Sequence, residues 1–287
     1  MSWGASEALL AQFEEYLIAA GSSRSTVVNY LADLRALARW AVDKVNPKLS
    51  LAALTPDTIE AYCSHLLNER RCAVATVNRR LHAMRKFCTF AVQTGLVTSN
   101  PAEGIQPVQD ESSAPATPLT AGEIGALLEA PTSEQPRLAR RDRTILMLLL
   151  YTGLRVNELV DLCLDHVQFD HPGIHLTIED GRGGARRQVP LEGEVRHALY
   201  EYLSVRPNVE GESHLFLTRE GRPLSIRSVQ RIVSDCARAA GLEGVSAQVL
   251  RRTFANRLLA STGDLSLVSR RLGHQSVATT VRYMLTA

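Results

Sequence analysis

Residues 100–123, "NPAEGIQPVQDESSAPATPLTAGE", concentrate proline, serine, threonine and acidic side chains and follow neither a helical nor a strand period. No continuous core runs through such an interval, so it divides the chain in two, with a boundary near residues 107–118. The 287 residues, 45% of them hydrophobic, suffice for two ordinary cores. The expected organisation is a first domain over 1–107, a linker over 108–118 and a second domain over 119–287.

Before the interval, helical period recurs over residues 7–20, 25–42, 56–68 and 75–94, punctuated by "GSSRS", "NPKLS" and "RRCAV". This reads as a compact helical module. Beyond it, helices are expected at about 121–130 and 138–151. The segment "GIHLTIEDGRGGARRQVPL" then alternates on either side of a glycine-rich turn, as a hairpin does, and helices resume to the end. The predicted fold class is mainly α: a helical N-terminal domain followed by an α-rich domain with a small antiparallel β-sheet.

Composition excludes several classes. The longest apolar run, in "ILMLLLYTGL", falls far short of the roughly 20 residues of a membrane span, and "MSWGASEALLAQFEEYL" lacks the charged start and apolar block of a signal peptide. A cytoplasmic protein is expected, without membrane partners. Cys63, Cys72, Cys88, Cys163 and Cys236 stand far apart with no Cys-x-x-Cys pair, which points to reduced, buried thiols rather than a zinc site or disulfides. Net charge is +2, and residues 108–287 carry 21 cations against 21 anions, so bulk charge does not announce a nucleic-acid partner. The only lysines are Lys44, Lys48 and Lys86; every later cation is arginine.

Several stretches offer chemistry, each beside a plainer reading. In "ATVNRRLHAMRKFCTFAVQ", Arg79, His82 and Lys86 share one side of a helix with Ala83 between them, next to Arg80, while Leu81, Met84, Phe87 and Cys88 turn inward. Such a face is either simply solvated or laid against DNA phosphates. "LLLYTGLRVNELVDL" sets Arg155 behind a buried helix and a glycine turn, with Glu158 three residues on: a surface ion pair, or a carboxylate that orients a neighbouring group. "SAQVLRRTFANRLLA" opens an amphipathic helix with Arg251 and Arg252, and "RRLGHQSVATTVRYM" brings His274 and Tyr283. A buried tyrosine can sit anywhere, so the others must decide its role.

Taken in order, these boxes resemble the tyrosine recombinases of the phage-integrase superfamily, particularly short Xer-like members. That family runs "TGLR-x-x-E-L", a hairpin lysine in "GKG-x-K-x-R-x-V-P-L", His-x-x-Arg, then "LGH-x-S-x-x-T-T-x-x-Y". This chain has "TGLRVNEL", "GRGGARRQVPL", "QVLRRTFANRLL" and "LGHQSVATTVRYM". The helical first domain resembles the family's core-binding domain, so the likeness covers nearly the whole chain.

The resemblance implies a site-specific recombinase that cuts and rejoins duplex DNA through a 3′-phosphotyrosine. Tyr283 would be the nucleophile, Arg155 and Arg251 the forks on the non-bridging oxygens, His274 a further phosphate partner and Glu158 the residue holding them in register. No cofactor or metal is implied; the implied partners are double-stranded DNA and further protomers, as a tetramer on paired sites or with a second related recombinase. Two positions depart from the pattern: Gln248 stands for the first histidine and Arg182 for the lysine that the family uses as general acid. Glutamine shuttles no proton, and arginine gives one up poorly. The alternative reading is thus a recombinase-fold DNA-binding protein with weak or no cleavage. A reading outside the family is a helical interaction protein whose "DGRGGARR" is merely a turn. Four residues follow Tyr283 here, where the family commonly has a tail helix that docks on the neighbouring protomer, so the expectation is either that cyclic assembly relies on other contacts or that the tail is missing from this chain.

Overall fold

The structure is a computed structural model that describes residues 7–45, 54–109, 117–133, 135–170, 173–179, 186–274 and 276–285. The chain divides into two compact units, Met1–Ser112 and Ser113–Ala287.

The first unit is built on α1 (Glu7–Ala19), α2 (Arg24–Lys44), α3 (Pro56–Asn68) and α4 (Val74–Gln93). Ser23 caps α2 by accepting from the Thr26 N–H, and Thr55 does the same for α3 ahead of Pro56. Helix α4 touches the other three, and this explains its wide apolar arc: Val77, Leu81, Ala83, Met84, Phe87, Cys88, Phe90 and Ala91 are all buried. Ala83 therefore does not lie among the basic residues, as the sequence suggested, but in helix–helix contact where a small side chain permits close approach.

The aperiodic stretch is only partly linker. Arg85 donates through Nε to the Ala102 carbonyl at 3.0 Å and through its other arm to the Ile105 carbonyl, and the Asn78 amide exchanges two 2.8 Å bonds with the Val108 backbone. Ala102 and Ile105 are buried, so residues 100–108 belong to the helical unit despite their composition. Of the expected linker, residues 110–116 lie outside the described residues.

In the second unit α5 (Ala121–Glu129) starts with a Thr120–Glu123 capping box, and α6 (Pro136–Thr152) carries the apolar run. Ile145, Leu146, Met147, Leu148, Leu149 and Leu150 are all buried, which a helix apolar on every side requires. Helices α7 (Val156–Val160), α8 (Gly193–Leu203), α9 (Ile226–Ala239), α10 (Ala247–Thr262), α11 (Leu265–Leu272) and α12 (Val277–Leu285) complete it; α6 packs against α8 and α10. Three antiparallel strands run in the order β1 (Val167–Asp170), β2 (Gly173–Ile178), β3 (Arg187–Leu191), with Ile174 opposite Leu191 and Leu176 opposite Val189. The β2–β3 pairing is the expected hairpin. Its glycine-rich turn, residues 180–185, lies outside the described residues, and strand β1 was not legible in the sequence. No described helix is long and apolar enough to cross a membrane.

Candidate active site

Two left-handed glycines bring the chemistry together. Helix α6 ends at Gly153 (φ 65°), where a Cβ would meet Cδ1 of Phe254 at 2.4 Å, and α11 ends at Gly273 (φ 63°), where a Cβ would meet Nη1 of Arg187 at 2.8 Å. Each turn then aims a carbonyl at an arginine. Buried Arg251, on α10, donates to the Gly153 carbonyl at 2.5 Å and the Leu272 carbonyl at 2.7 Å, while Arg155 donates to the Gly273 carbonyl at 3.2 Å.

Glu158 lies at the centre. Arg187 grips it with a two-pronged contact, 2.9 and 2.7 Å, and Arg155 adds a guanidinium bond at 2.8 Å and a backbone N–H bond at 2.7 Å. Arg251 approaches its carboxylate at 3.9 Å. Burial alone would raise the Glu158 pKa, but the bonds from Arg187 and the Arg155 backbone, with both positive charges, hold it below the usual carboxylate range. Three guanidinium groups thus surround one carboxylate, an excess of positive charge suited to a phosphodiester.

His274 closes the cluster. Its Nε2 lies 3.2 Å from Nη2 of Arg251 and its Nδ1 2.8 Å from the Thr280 hydroxyl. Burial, then the charges of Arg251, Arg155 and Arg187, pushes its pKa down to about 4, against the opposing pull of Glu158. The imidazole is therefore neutral at physiological pH. In the unfolded chain the same ring takes up a proton near pH 6.5, so unfolding binds protons between that pH and about 4. The contribution is fully present above pH 6.5 and is lost as pH falls through this window. Urea melts at pH 7 and pH 5 are expected to show lower stability at pH 5, and His274→Gln should flatten the difference; an equal slope in both proteins would contradict this assignment.

The Arg155–Glu158 pair, Arg251 and His274 converge although 119 positions separate Arg155 from His274 (274 − 155). Gln248 sits exposed near the start of α10, three residues before Arg251. Tyr283 lies on α12, its side chain outside the described residues, as is Arg182 altogether. Arg187 was missed by sequence reasoning, though the signal was present: with Val189 and Leu191 buried, strand alternation turns Arg187 to the inner face. Arg186 is exposed and pairs with Glu179.

In the first unit Arg79 and Arg80 form ion pairs with Asp33, the second at 3.4 Å, and Arg80 also donates to the Tyr62 hydroxyl at 3.0 Å. Asp33 is buried, and this raises its pKa against the pull of Arg79 and Arg80. His82 is exposed with its ring against Tyr30, and the Lys86 ammonium lies over the Tyr16 ring at 5.5 Å. Among the described residues one group has metal-ligand types close together, Cys163, Asp165 and His166, and there His166 Nδ1 already accepts from the Cys163 N–H at 3.2 Å. Cys63, Cys88 and Cys236 are buried free thiols, whereas Cys72 and Cys163 are partly exposed.

Comparison with known proteins decides the family. Residues 118–287 match the model of the phage integrase family, and residues 9–94 match the phage integrase N-terminal SAM-like domain. The chain belongs to the phage integrase family. It is 31% identical over 281 residues to the tyrosine recombinase XerC of Neisseria meningitidis, covering 95% of this chain and 90% of that one. To the tyrosine recombinase XerD of Lacticaseibacillus casei it is 32% identical over 281 residues, with 96% and 92% covered. Among solved structures, the XerA recombinase matches with a TM-score of 0.54 at 27% identity over 96% of this chain and 92% of that one. A lambda integrase dimer bound to a COC′ core site has the same fold, with a TM-score of 0.74 at 20% identity over 96% and 94%. The chain is accordingly a tyrosine-type, site-specific DNA recombinase.

Proposed function

We propose that the Arg155–Glu158–Arg251–His274 cluster receives the scissile phosphate of duplex DNA and that Tyr283 attacks it. The observation that carries this reading is the placement of the Arg155 and Arg251 guanidiniums beside the half-buried Glu158 carboxylate, with the neutral His274 imidazole against Arg251. Phosphoryl transfer is chiefly positioning and stabilisation of charge on non-bridging oxygens, and planar, permanently charged forks suit that task. The Tyr283 oxygen forms a bond to phosphorus as the bond to the 5′ oxygen breaks. The tyrosine loses its proton, the leaving hydroxyl gains one, and the bond energy stays in the 3′-phosphotyrosine for rejoining. Arg182 and Gln248 stand where the family pattern has lysine and histidine.

The first unit is assigned to DNA binding as a core-binding domain, and the enzyme works as an oligomer on paired sites in the cytoplasm. Lambda integrase, which shares the fold, has been solved as a dimer bound to a core site and as a tetramer bound to a Holliday junction, and this supports the oligomeric part of the reading. Within α4, His82 and Lys86 are the informative residues to remove. Arg79→Ala and Arg80→Ala would each strip a partner from buried Asp33, and their effect on binding would mix with lost stability. The test of the whole reading is a nicked suicide substrate incubated with the protein. A covalent adduct that maps to Tyr283 and vanishes in Tyr283→Phe is expected; no adduct with the unaltered protein, or an adduct in the variant, overturns the reading.

A further inference from the structure

Thr280 is fully buried, in a helix turn whose neighbours Val277, Ala278, Thr279 and Val281 are exposed. The two adjacent threonines divide the work. Thr279 serves its own helix, its N–H donating to the Ser276 hydroxyl at 3.3 Å and its hydroxyl lying 3.0 Å from the same oxygen. Thr280 instead faces His274, 2.8 Å from Nδ1. Tyr283 follows three residues later on the same helix.

The protons on this pair are fixed by what stands on the far side of the ring. Arg251 Nη2 can only donate, so His274 Nε2 accepts from it and carries no hydrogen, and the single proton of the neutral imidazole sits on Nδ1, donated to the Thr280 oxygen. In that tautomer His274 has no hydrogen to offer a phosphate at Nε2. When a non-bridging oxygen arrives beside Nη2 of Arg251, a favourable contact with His274 requires the proton on Nε2 instead.

We infer that Thr280 is a positioning residue of the recombinase site: its hydroxyl accepts from His274 Nδ1 in the free enzyme and reverses to donate to Nδ1 when a phosphodiester binds, so that Nε2–H turns to the phosphate. This rests on the proposed role of the cluster as the phosphate receptor. The exchange balances through water, which removes the Nδ1 proton and supplies one to Nε2, leaving the ring neutral throughout. A hydroxyl serves both states because it donates and accepts; a methyl serves neither. The same bond ties α12, the helix bearing Tyr283, to the group that senses the phosphate.

The test combines Thr280→Val, which keeps the shape and removes the hydroxyl, with Thr280→Ser, which restores it. In protein with 15N-labelled histidine, assigned by His274→Gln, the His274 resonances of the free enzyme should report a protonated Nδ1 and a bare Nε2. The pattern should invert when Tyr283→Phe protein, which cannot cleave, is saturated with duplex DNA carrying its site. Single-turnover cleavage at saturating DNA should fall about ten-fold or more in Thr280→Val with unchanged DNA affinity, and Thr280→Ser should return most of the rate. Wild-type cleavage by Thr280→Val, a bare Nδ1 in the free enzyme, or an imidazolium in the complex would each overturn the inference. Failure of the catalytic reading itself shows separately, as the absence of any Tyr283 adduct in the unaltered protein, and the free-enzyme tautomer can be read either way.

Discussion

Replacing Arg251 by lysine is expected to slow strand cleavage by roughly 10²- to 10³-fold, the usual consequence of losing one preorganised donor to a developing charge, while duplex affinity changes little. The guanidinium of Arg251 spans the Gly153 and Leu272 carbonyls and still reaches His274. An ammonium keeps the charge but is a point donor on a flexible stem, and it cannot hold both carbonyls while facing a phosphate. Alanine is the poorer probe, since it would leave two inward carbonyls without their donor and endanger the fold. Single-turnover cleavage of a suicide substrate by Arg251→Lys, beside its circular dichroism and a gel-shift titration, separates the outcomes. Cleavage near the unaltered rate in a folded, binding-competent variant would remove Arg251 from the phosphate site.

The same residue shows what a sequence can and cannot disclose. Its helix, the glycine turn before Arg155 and the order of the boxes were all legible, because each is a local pattern: an apolar period, a glycine that stops it, a charged residue behind it. That Arg155, Glu158 and Arg251 meet follows from the resemblance, whereas the bonds that join them are tertiary. The Leu272 carbonyl that orients Arg251 lies 21 positions away and carries no side-chain signature. Arg187 hid in an Arg-Arg pair whose inner member is chosen by strand alternation alone, visible once Val189 and Leu191 are taken as core.

The first unit shows the same division between local pattern and tertiary contact. Residues 100–108 have a linker's composition, yet side chains of α4, Asn78 and Arg85, hold their backbone from 30 and 17 to 20 positions away. A basic face was expected on α4, but the Arg79 and Arg80 partner, Asp33, comes from α2, and no spacing within α4 reveals it. Strand β1 has only four residues, VQFD, too short an alternation to announce a strand, and Phe169 is exposed.

Restoring lysine at position 182 should speed cleavage of ordinary DNA by roughly 10-fold or more, within the range general acids contribute, and scarcely change cleavage of a substrate with a 5′-bridging phosphorothiolate. The leaving hydroxyl of ordinary DNA needs a proton, and arginine, the residue this chain has where the family pattern places its lysine, releases one poorly. The thiolate leaves without a proton, so the sulfur substrate bypasses that step while using the same phosphate receptor and nucleophile. Because lysine and arginine carry the same charge, the difference between substrates isolates protonation from electrostatics. No lysine elsewhere in residues 108–287 can take over, since the chain's only lysines are Lys44, Lys48 and Lys86. Equal acceleration of both substrates, or faster cleavage by the arginine form, would show that the proton reaches the leaving oxygen by another route, with water ordered near Gln248 the first place to look; substituting Gln248→His in both backgrounds would then locate it.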